Sequence, residues 1–396
     1  MAKRAPSRRT AGQPAGSAPS AAPGPADAPD PAPRSLEAAR ALGPRLRGAL
    51  LPWFAAHARD LPWRRTRDPY AIWVSEVMLQ QTQVATALGY FERFLRRFPD
   101  PRALAAASDE DLLAAWSGLG YYRRARLLRE GAQQVVEQHG GVLPTAPAEV
   151  RALRGVGPYT AGALLSIAFD ASESLVDGNV ARVLARWFEL DGELGGPELT
   201  RATWSIARAL LPPAGPPPDG PGAWNQALME LGATVCVPRQ PRCEVCPVED
   251  LCAARAAGRE RELPRPKRRA TVVEVELELA LVEHGGRWLL VRRAGEGRLG
   301  GLWELPTREV GPGASRLFDR EWPVPGLIAR PGAALFQLRH GITHHRIRAR
   351  ALAADAPRAL AETRAGDNAH RFANVAEAAQ LALGGIARKA FKRLDG

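Results

Sequence analysis

Residues 236–252 read Cys236-Val-Pro-Arg-Gln-Pro-Arg-Cys243-Glu-Val-Cys246-Pro-Val-Glu-Asp-Leu-Cys252, and they hold every cysteine of the 396-residue chain. Four cysteines confined to one short stretch form one site. The spacing, Cys-x6-Cys-x2-Cys-x5-Cys, suits either a structural zinc ion or a [4Fe–4S] cluster. Zinc sites usually show two short cysteine knuckles, and here only Cys243 and Cys246 make one, which inclines the spacing toward iron–sulfur. Disulfides fit less well, because the rest of the chain has no secretory features.

Upstream, from about residue 36 to 258, apolar residues recur at helical spacing. Val77, Val84, Leu88, Phe91 and Leu95 predict one apolar face, and Val180, Val183, Leu184, Trp187 and Phe188 a second, so an all-helical domain is expected. Downstream, residues 259–270 carry Arg-Glu-Arg-Glu-Leu-Pro-Arg-Pro-Lys-Arg-Arg and read as an exposed basic linker able to follow phosphates. Beyond it the period changes to two, with Val273, Val275, Leu277 and Leu279 alternating against glutamates, and Trp288-Leu-Leu-Val291 follows Gly285-Gly286. A hairpin-like opening of an α+β domain over 271–396 is expected. Residues 1–35 contain eight prolines and ten alanines with no Leu, Ile, Val or aromatic residue, and predict a disordered tail.

Lys+Arg number 54 against 42 Asp+Glu, a net charge of +12 that favours a polyanionic partner. No run of 18 or more apolar residues is present, which argues against a membrane protein. The lysines are Lys3, Lys267, Lys389 and Lys392, so the stretch between Lys3 and Lys267 offers no amine for a lysine Schiff base. The heavy use of Ala, Arg, Gly and Pro reads as a GC-rich bacterial genome, and a cytoplasmic, nucleoid-associated protein is expected.

The cysteine spacing at the end of a helical region resembles the [4Fe–4S] loop of the endonuclease III superfamily of DNA glycosylases. Leu153-Arg-Gly-Val-Gly-Pro-Tyr-Thr-Ala-Gly162 resembles the helix–hairpin–helix of that superfamily, and Val176-Asp-Gly-Asn-Val180 the segment with its catalytic aspartate. Ser75-Glu-Val-Met-Leu-Gln-Gln-Thr-Gln83 is similar to the adenine glycosylase branch, the MutY family. The resemblance implies a mainly α helix–hairpin–helix glycosylase domain over 36–258, whose iron–sulfur loop is held by Cys236, Cys243, Cys246 and Cys252, and a C-terminal α+β Nudix-like domain. Independently of any family, Gly155 and Gly157 permit positive φ or close backbone approach, leaving amides near a helix N-terminus where a phosphate can sit.

Cleaving adenine from deoxyribose needs an acid for the departing base and a negative group beside an oxocarbenium-like sugar. By resemblance, Glu76 is the acid and Asp177 the sugar-stabilising carboxylate, with Asn179 in support. Raising a glutamate to near neutrality costs about 1.4 kcal/mol per pH unit, which apolar neighbours such as Val77 and Met78 can impose by desolvation. Tyr159 occupies the hairpin position that carries the nucleophilic lysine in bifunctional relatives, which points to a monofunctional enzyme that leaves the strand uncut. Arg59, Leu61, Trp63 and Arg64 resemble adenine-pocket residues. Gln81 and Tyr121 resemble groups inserted into the base stack, and Thr82 and Leu119 contacts around the opposite base.

In this family the Nudix-like domain recognises 8-oxoguanine opposite the adenine. Gly301-Leu-Trp-Glu-Leu-Pro306 resembles that fold, without the Arg-Glu-x-x-Glu-Glu helix of a Nudix hydrolase, so binding rather than hydrolysis is expected of it. The lesion-sensing Phe-Ser-His of relatives aligns with Ile342, Thr343 and His344, a departure at the first position. The expected partner is duplex DNA bearing adenine opposite 8-oxoguanine or guanine, bound by a monomer. Two other readings share these motifs: a non-catalytic iron–sulfur lesion-binding protein, and an endonuclease III-like pyrimidine glycosylase that cuts the strand.

Overall fold

The computed structural model describes residues 33–213, 219–267, 270–294, 299–311, 317–357, 360 and 369–395. The tail expected over 1–35 lies outside them except for 33–35, which begin the first helix. Helices run in order α1 (Pro33–His57), α2 (Pro69–Leu79), α3 (Val84–Arg97), α4 (Pro101–Ala105), α5 (Asp109–Trp116), α6 (Arg123–His139), α7 (Pro147–Ala152), α8 (Pro158–Phe169), α9 (Gly178–Trp187), α10 (Pro197–Leu210), α11 (Pro221–Thr234) and α12 (Ala253–Ala256). They enclose one apolar cluster in which Trp73, Trp116 and Trp224 are fully buried. None of the described helices is long and apolar enough to cross a membrane.

α2 runs through the middle of this body. Asp68 accepts a hydrogen bond from the Tyr70 amide and Pro69 occupies the first turn, so the helix starts sharply, and every residue from Tyr70 to Met78 is buried. Past its end Gln81 takes φ 57°. The apolar face expected from Val77 through Leu95 is therefore divided between α2 and α3, because the left-handed residue turns the chain between them. α9 is capped by Asp177, whose Oδ1 accepts from the Val180 amide at 2.7 Å. Against it packs α11, and Gly232 makes the approach feasible: a Cβ there would lie 2.8 Å from Asn179 Cβ.

The strands are β1 (Val273–Leu281), β2 (Glu283–His284), β3 (Arg287–Arg292), β4 (Trp303–Glu304), β5 (Thr307–Val310), β6 (Ile328–Ala329), β7 (Phe336–Ile342), β8 (His345–Asp355) and β9 (His370–Ala373). One sheet has the order β5-β1-β8-β6 with β7 also on β8, and the other β2-β3-β4 with β9 on β3. β1 and β8 are parallel from the Val273–His345 pair to Leu281–Ala353. The hairpin expected at the start of this region shrinks to β2 and β3 around Gly285-Gly286. β1 takes β8 and β5 as neighbours instead, since from Leu277 to Leu281 it is buried on both faces and its alternation ends there. The C-terminal helix Gly385–Leu394 covers this sheet, with Ile386, Ala387, Ala390 and Phe391 packed among Leu277, Leu279 and Leu338.

Most of the basic segment after the cysteines is exposed, Arg261, Arg265 and Lys267 included, and it is anchored at Leu263. Leu263 is buried and its carbonyl accepts from Arg186 Nε at 2.8 Å, while Arg265 exchanges backbone hydrogen bonds with Gly192 and Leu194. Arg259 faces Glu189, Asp191 and Glu262, and Arg265 faces Asp191, so these two charges are paired.

Candidate active site

A cleft of about 710 Å³ opens between α2, α8, α9 and α11. Glu76 projects into it from α2, 4% exposed, and its Oε2 accepts a hydrogen bond from the Tyr159 hydroxyl at 2.6 Å. Burial pushes the Glu76 carboxyl up to about 7, the tyrosine bond and Arg64 opposing it and the Asp177 charge adding to it. Tyr159 is itself pushed up, by burial first and then by the two carboxylates. A buried carboxyl poised near neutrality can donate a proton to a bound group and take one up again afterwards.

Asp177 lines the same cleft at the start of α9. Its carboxyl is raised by burial, while the Val180 amide, the Asn179 amide groups and Arg182 favour its charged form. Asn179 Nδ2 donates to Asp177 Oδ2 at 3.0 Å, and its Oδ1 accepts from Arg182 Nη2 at 2.9 Å. Capping the helix and presenting a carboxylate to the cleft are thus done by one residue. Arg182, which the sequence reading missed, also donates to the Gly232 and Cys236 carbonyls and fixes the amide that orients Asp177.

The arginines expected in the base pocket line the cleft, but their donors are committed. Arg59 grips Glu230 through Nε and Nη2 at 2.7 Å each, and Arg64 Nη2 meets the same carboxylate at 2.7 Å. The Glu230 side chain has no exposed surface, and the two guanidiniums hold its carboxyl down at about 2 against the opposing effect of burial. Sequence reading missed Glu230. The available signal was one acidic residue inside the apolar run Ala227-Leu-Met-Glu-Leu231.

Leu61 and Trp63 are nearly buried and line the cleft, Trp63 also packing edge-on against Phe91 with centroids 5.3 Å apart. Gln81 and Thr82 stand at the rim. Of the hairpin glycines that also line the cleft, Gly155 has φ 77° and a Cβ there would meet Leu127 Cβ at 2.7 Å. Gly157 departs from expectation: its φ is −88° and open space surrounds its missing Cβ, so it serves as the residue before α8 without conformational need of glycine.

Five expected DNA-contacting residues lie outside the lining of the cleft. Leu119 is buried in the helical core, where its side chain packs, while Tyr121 is 48% exposed with φ 48°. Thr343 and His344 are exposed at the β7–β8 tip, Thr343 with φ 53°. Ile342, the fifth, ends β7 and is half-buried beside them.

The four cysteines are unpaired and half-buried around the turns Cys243–Val245 and Glu249–Leu251. Burial pushes the Cys246 thiol up to about 12 and Cys252 to about 11, and each also feels Cys236 and Cys243. Arg186, fully buried, donates to Cys236 Sγ at 3.2 Å and to the Val237 and Pro238 carbonyls at 2.9 Å, fixing the start of the loop against α9. Among the described residues no three His, Cys, Asp or Glu side chains converge as ligands of a single ion. Four half-buried thiols of one loop, one for each iron, with the buried Arg186 donating to Cys236 Sγ, make a donor set that suits a [4Fe–4S] cluster.

Residues 74–209 match the HhH-GPD superfamily of base excision DNA repair proteins, 236–252 the iron–sulfur binding domain of endonuclease III, and 279–393 the NUDIX domain. The human adenine DNA glycosylase (Homo sapiens) is 40% identical over 66% of this chain and 57% of its own length. The rat adenine DNA glycosylase (Rattus norvegicus) is 38% identical over 74% of this chain and 67% of its own. The chain therefore spans roughly three fifths to two thirds of these relatives. Among solved structures, a thermostable thymine-DNA glycosylase is 28% identical and covers 56% of this chain and 99% of its own, with a TM-score of 0.49.

Proposed function

Since the chain belongs to the adenine DNA glycosylase family, we propose that it hydrolyses the bond between adenine and deoxyribose in duplex DNA, opposite 8-oxoguanine or guanine, without cutting the strand. The observation that carries this reading is Glu76, a buried carboxyl raised to about 7 and hydrogen-bonded by Tyr159 in a cleft that also holds Asp177. Glu76 protonates a ring nitrogen of the flipped adenine, so that the electron pair of the breaking C–N bond leaves on a neutral base. Asp177 faces the positive charge that develops on the sugar, and water adds at the anomeric carbon. Asn179 orients Asp177, and the Arg59–Glu230–Arg64 group builds the pocket wall with Leu61 and Trp63.

Tyr159 carries no amine, and with no lysine between Lys3 and Lys267 the helical region has no Schiff-base nucleophile. The product is an abasic site in an intact strand. Gly155, Gly157 and the start of α8 receive a phosphate, Gln81, Thr82 and Tyr121 attend the opened stack, with Leu119 packed beneath them in the core, and Ile342, Thr343 and His344 read the opposite base. Cys236, Cys243, Cys246 and Cys252 would hold the [4Fe–4S] cluster, which would cross-link the loop within itself, while Arg186 ties the loop to α9. The enzyme works as a monomer in a bacterial cytoplasm, at the nucleoid, with the catalytic domain over 36–258 and the lesion-reading domain over 271–396.

The test is single-turnover base release from duplexes with adenine opposite 8-oxoguanine, guanine or thymine. Release from the first two without strand cleavage is expected, falling as pH rises through about 7 as Glu76 ionises, and dropping at least about 1,000-fold in Glu76→Gln. No release from any duplex by iron-loaded protein would overturn the reading in favour of a binding protein.

A further inference from the structure

Arg124, at the start of α6, is outside the lining of the cleft, yet two of the segments flanking the DNA-facing side converge on its guanidinium. Nη1 donates to the carbonyls of Val77 at 2.8 Å, Met78 at 2.9 Å and Gln80, the C-terminal end of α2. Nη2 donates to Thr82 Oγ1 at 3.1 Å and to the Gly120 and Leu119 carbonyls at 3.2 and 3.4 Å. The guanidinium carbon also sits 5.4 Å from the Trp116 ring centre and 5.6 Å from that of Tyr121. The last carbonyls of a helix lack intrahelical partners, and a cation there satisfies them and meets the negative end of the helix dipole.

Each of these two segments contains one non-glycine residue in the left-handed region, Gln81 at φ 57° and Tyr121 at φ 48°, and both side chains are exposed. Such conformations are costly and persist where the surroundings over-determine them. Here the bonds on either side of Gln81, and those from the two residues before Tyr121, end on one planar fork. Burial lowers the Arg124 pKa to about 10, which still leaves it a cation at neutral pH.

We propose that Arg124 is a positioning residue that joins Gln81 and Tyr121 into a single two-pronged wedge, so that both enter the base stack as a unit when the adenine leaves it. The inference rests on the glycosylase reading above and adds to it the part that keeps the stack open. A lysine cannot replace the fork, because a compact ammonium cannot hold carbonyls of both segments in one plane.

The full-length, cluster-loaded protein and its Arg124→Lys and Arg124→Met variants are compared on two substrates: adenine mispaired in a duplex, and the same adenine unpaired in a bubble, where little unstacking is needed. Duplex release is expected to fall about 100-fold in both variants, at least about tenfold more than bubble release. A second readout is the fluorescence of 2-aminopurine beside the target in a Glu76→Gln background, which rises when the stack is opened. That rise is expected to shrink in both variants, and adding Gln81→Ala and Tyr121→Ala to Arg124→Lys should shrink it no further. Equal losses on both substrates with the fluorescence rise intact would overturn the inference, since Arg124 would then act on Glu76 through the end of α2. Loss of the fold in both variants would also overturn it. If the unaltered enzyme releases adenine from neither substrate, the glycosylase reading fails, and the fluorescence rise alone still decides whether Arg124 holds the wedge.

Discussion

The helical body and the sheet domain bury the same kind of side chain and put it to different uses. In the body, Glu230 meets two arginines and is held down at about 2, while Glu76, about as deeply buried, hydrogen-bonds a tyrosine and rises to about 7. In the sheet domain, Glu278 bridges Arg308 and Arg350 at 2.7 Å each across neighbouring strands. Glu304 is the nearest counterpart of Glu76, raised by burial, but Arg293 at 3.2 Å opposes the rise. Burial alone therefore does not mark a proton donor. What distinguishes Glu76 is burial in an open cleft with a hydroxyl where the other carboxylates have a guanidinium.

Removing one charge from each domain should separate them most strongly. Glu230→Gln leaves Arg64, 15% exposed, and Arg59, 38% exposed, beside a neutral amide, and should cost about 3 kcal/mol, at the low end for a broken buried pair because Arg59 is partly hydrated. Glu278→Gln frees Arg308 and Arg350, 33% and 54% exposed, which water can solvate, and should cost about 1 kcal/mol. Denaturant unfolding of both variants checks this. Equal losses would break the distinction between a charge that builds a pocket wall and one that laces a sheet.

Glu76→Gln sharpens the comparison by pH. The folded carboxyl titrates near 7 and an ordinary one near 4.5, so the fold favours the protonated form. That contribution is fully present below about 4.5 and is lost as pH rises through about 7. Glutamine stays neutral throughout, so the variant should gain roughly 3 kcal/mol relative to the unaltered protein by pH 8 and almost nothing at pH 4. Thermal unfolding across this range gives the difference, and a gain independent of pH would mean that Glu76 is not held protonated by the fold.

Fold class and cleft were legible in the sequence to unequal degrees. The cysteine spacing, the Asp177 segment and Glu76 with its apolar neighbours are local patterns, and the structure brings Glu76, Asp177, Tyr159 and Asn179 around one cleft. Glu230 and Arg182 were not legible, because their meaning comes from partners 171 and 54 positions away along the chain. Periodicity misled at Gln81, where one left-handed residue splits an apolar stripe, and at β1, whose inner half is buried on both faces. The anchoring of the basic run after the cysteines was not legible, because two of its acidic partners, Glu189 and Asp191, lie in the turn after α9.

The smallest expected effect concerns the β7–β8 tip, the sheet domain's proposed share in recognition. Ile342 is half-buried and followed by the left-handed, exposed Thr343, whose hydroxyl donates to the Ile342 carbonyl at 2.7 Å. An aliphatic side chain at such a tip can wedge beside a base but offers no ring to stack on it. Ile342→Phe should therefore raise the preference for adenine opposite 8-oxoguanine over guanine by about fivefold, near 1 kcal/mol of base–aromatic stacking. Single-turnover release from the two duplexes measures it. The acid and its cleft belong to the other domain, so the gain should appear in the ratio of the two substrates while the pH dependence set by Glu76 stays where it was. A shift of that pH dependence, or an unchanged ratio, would show that the tip does not read the opposite base and that the division of labour between body and sheet domain is drawn in the wrong place.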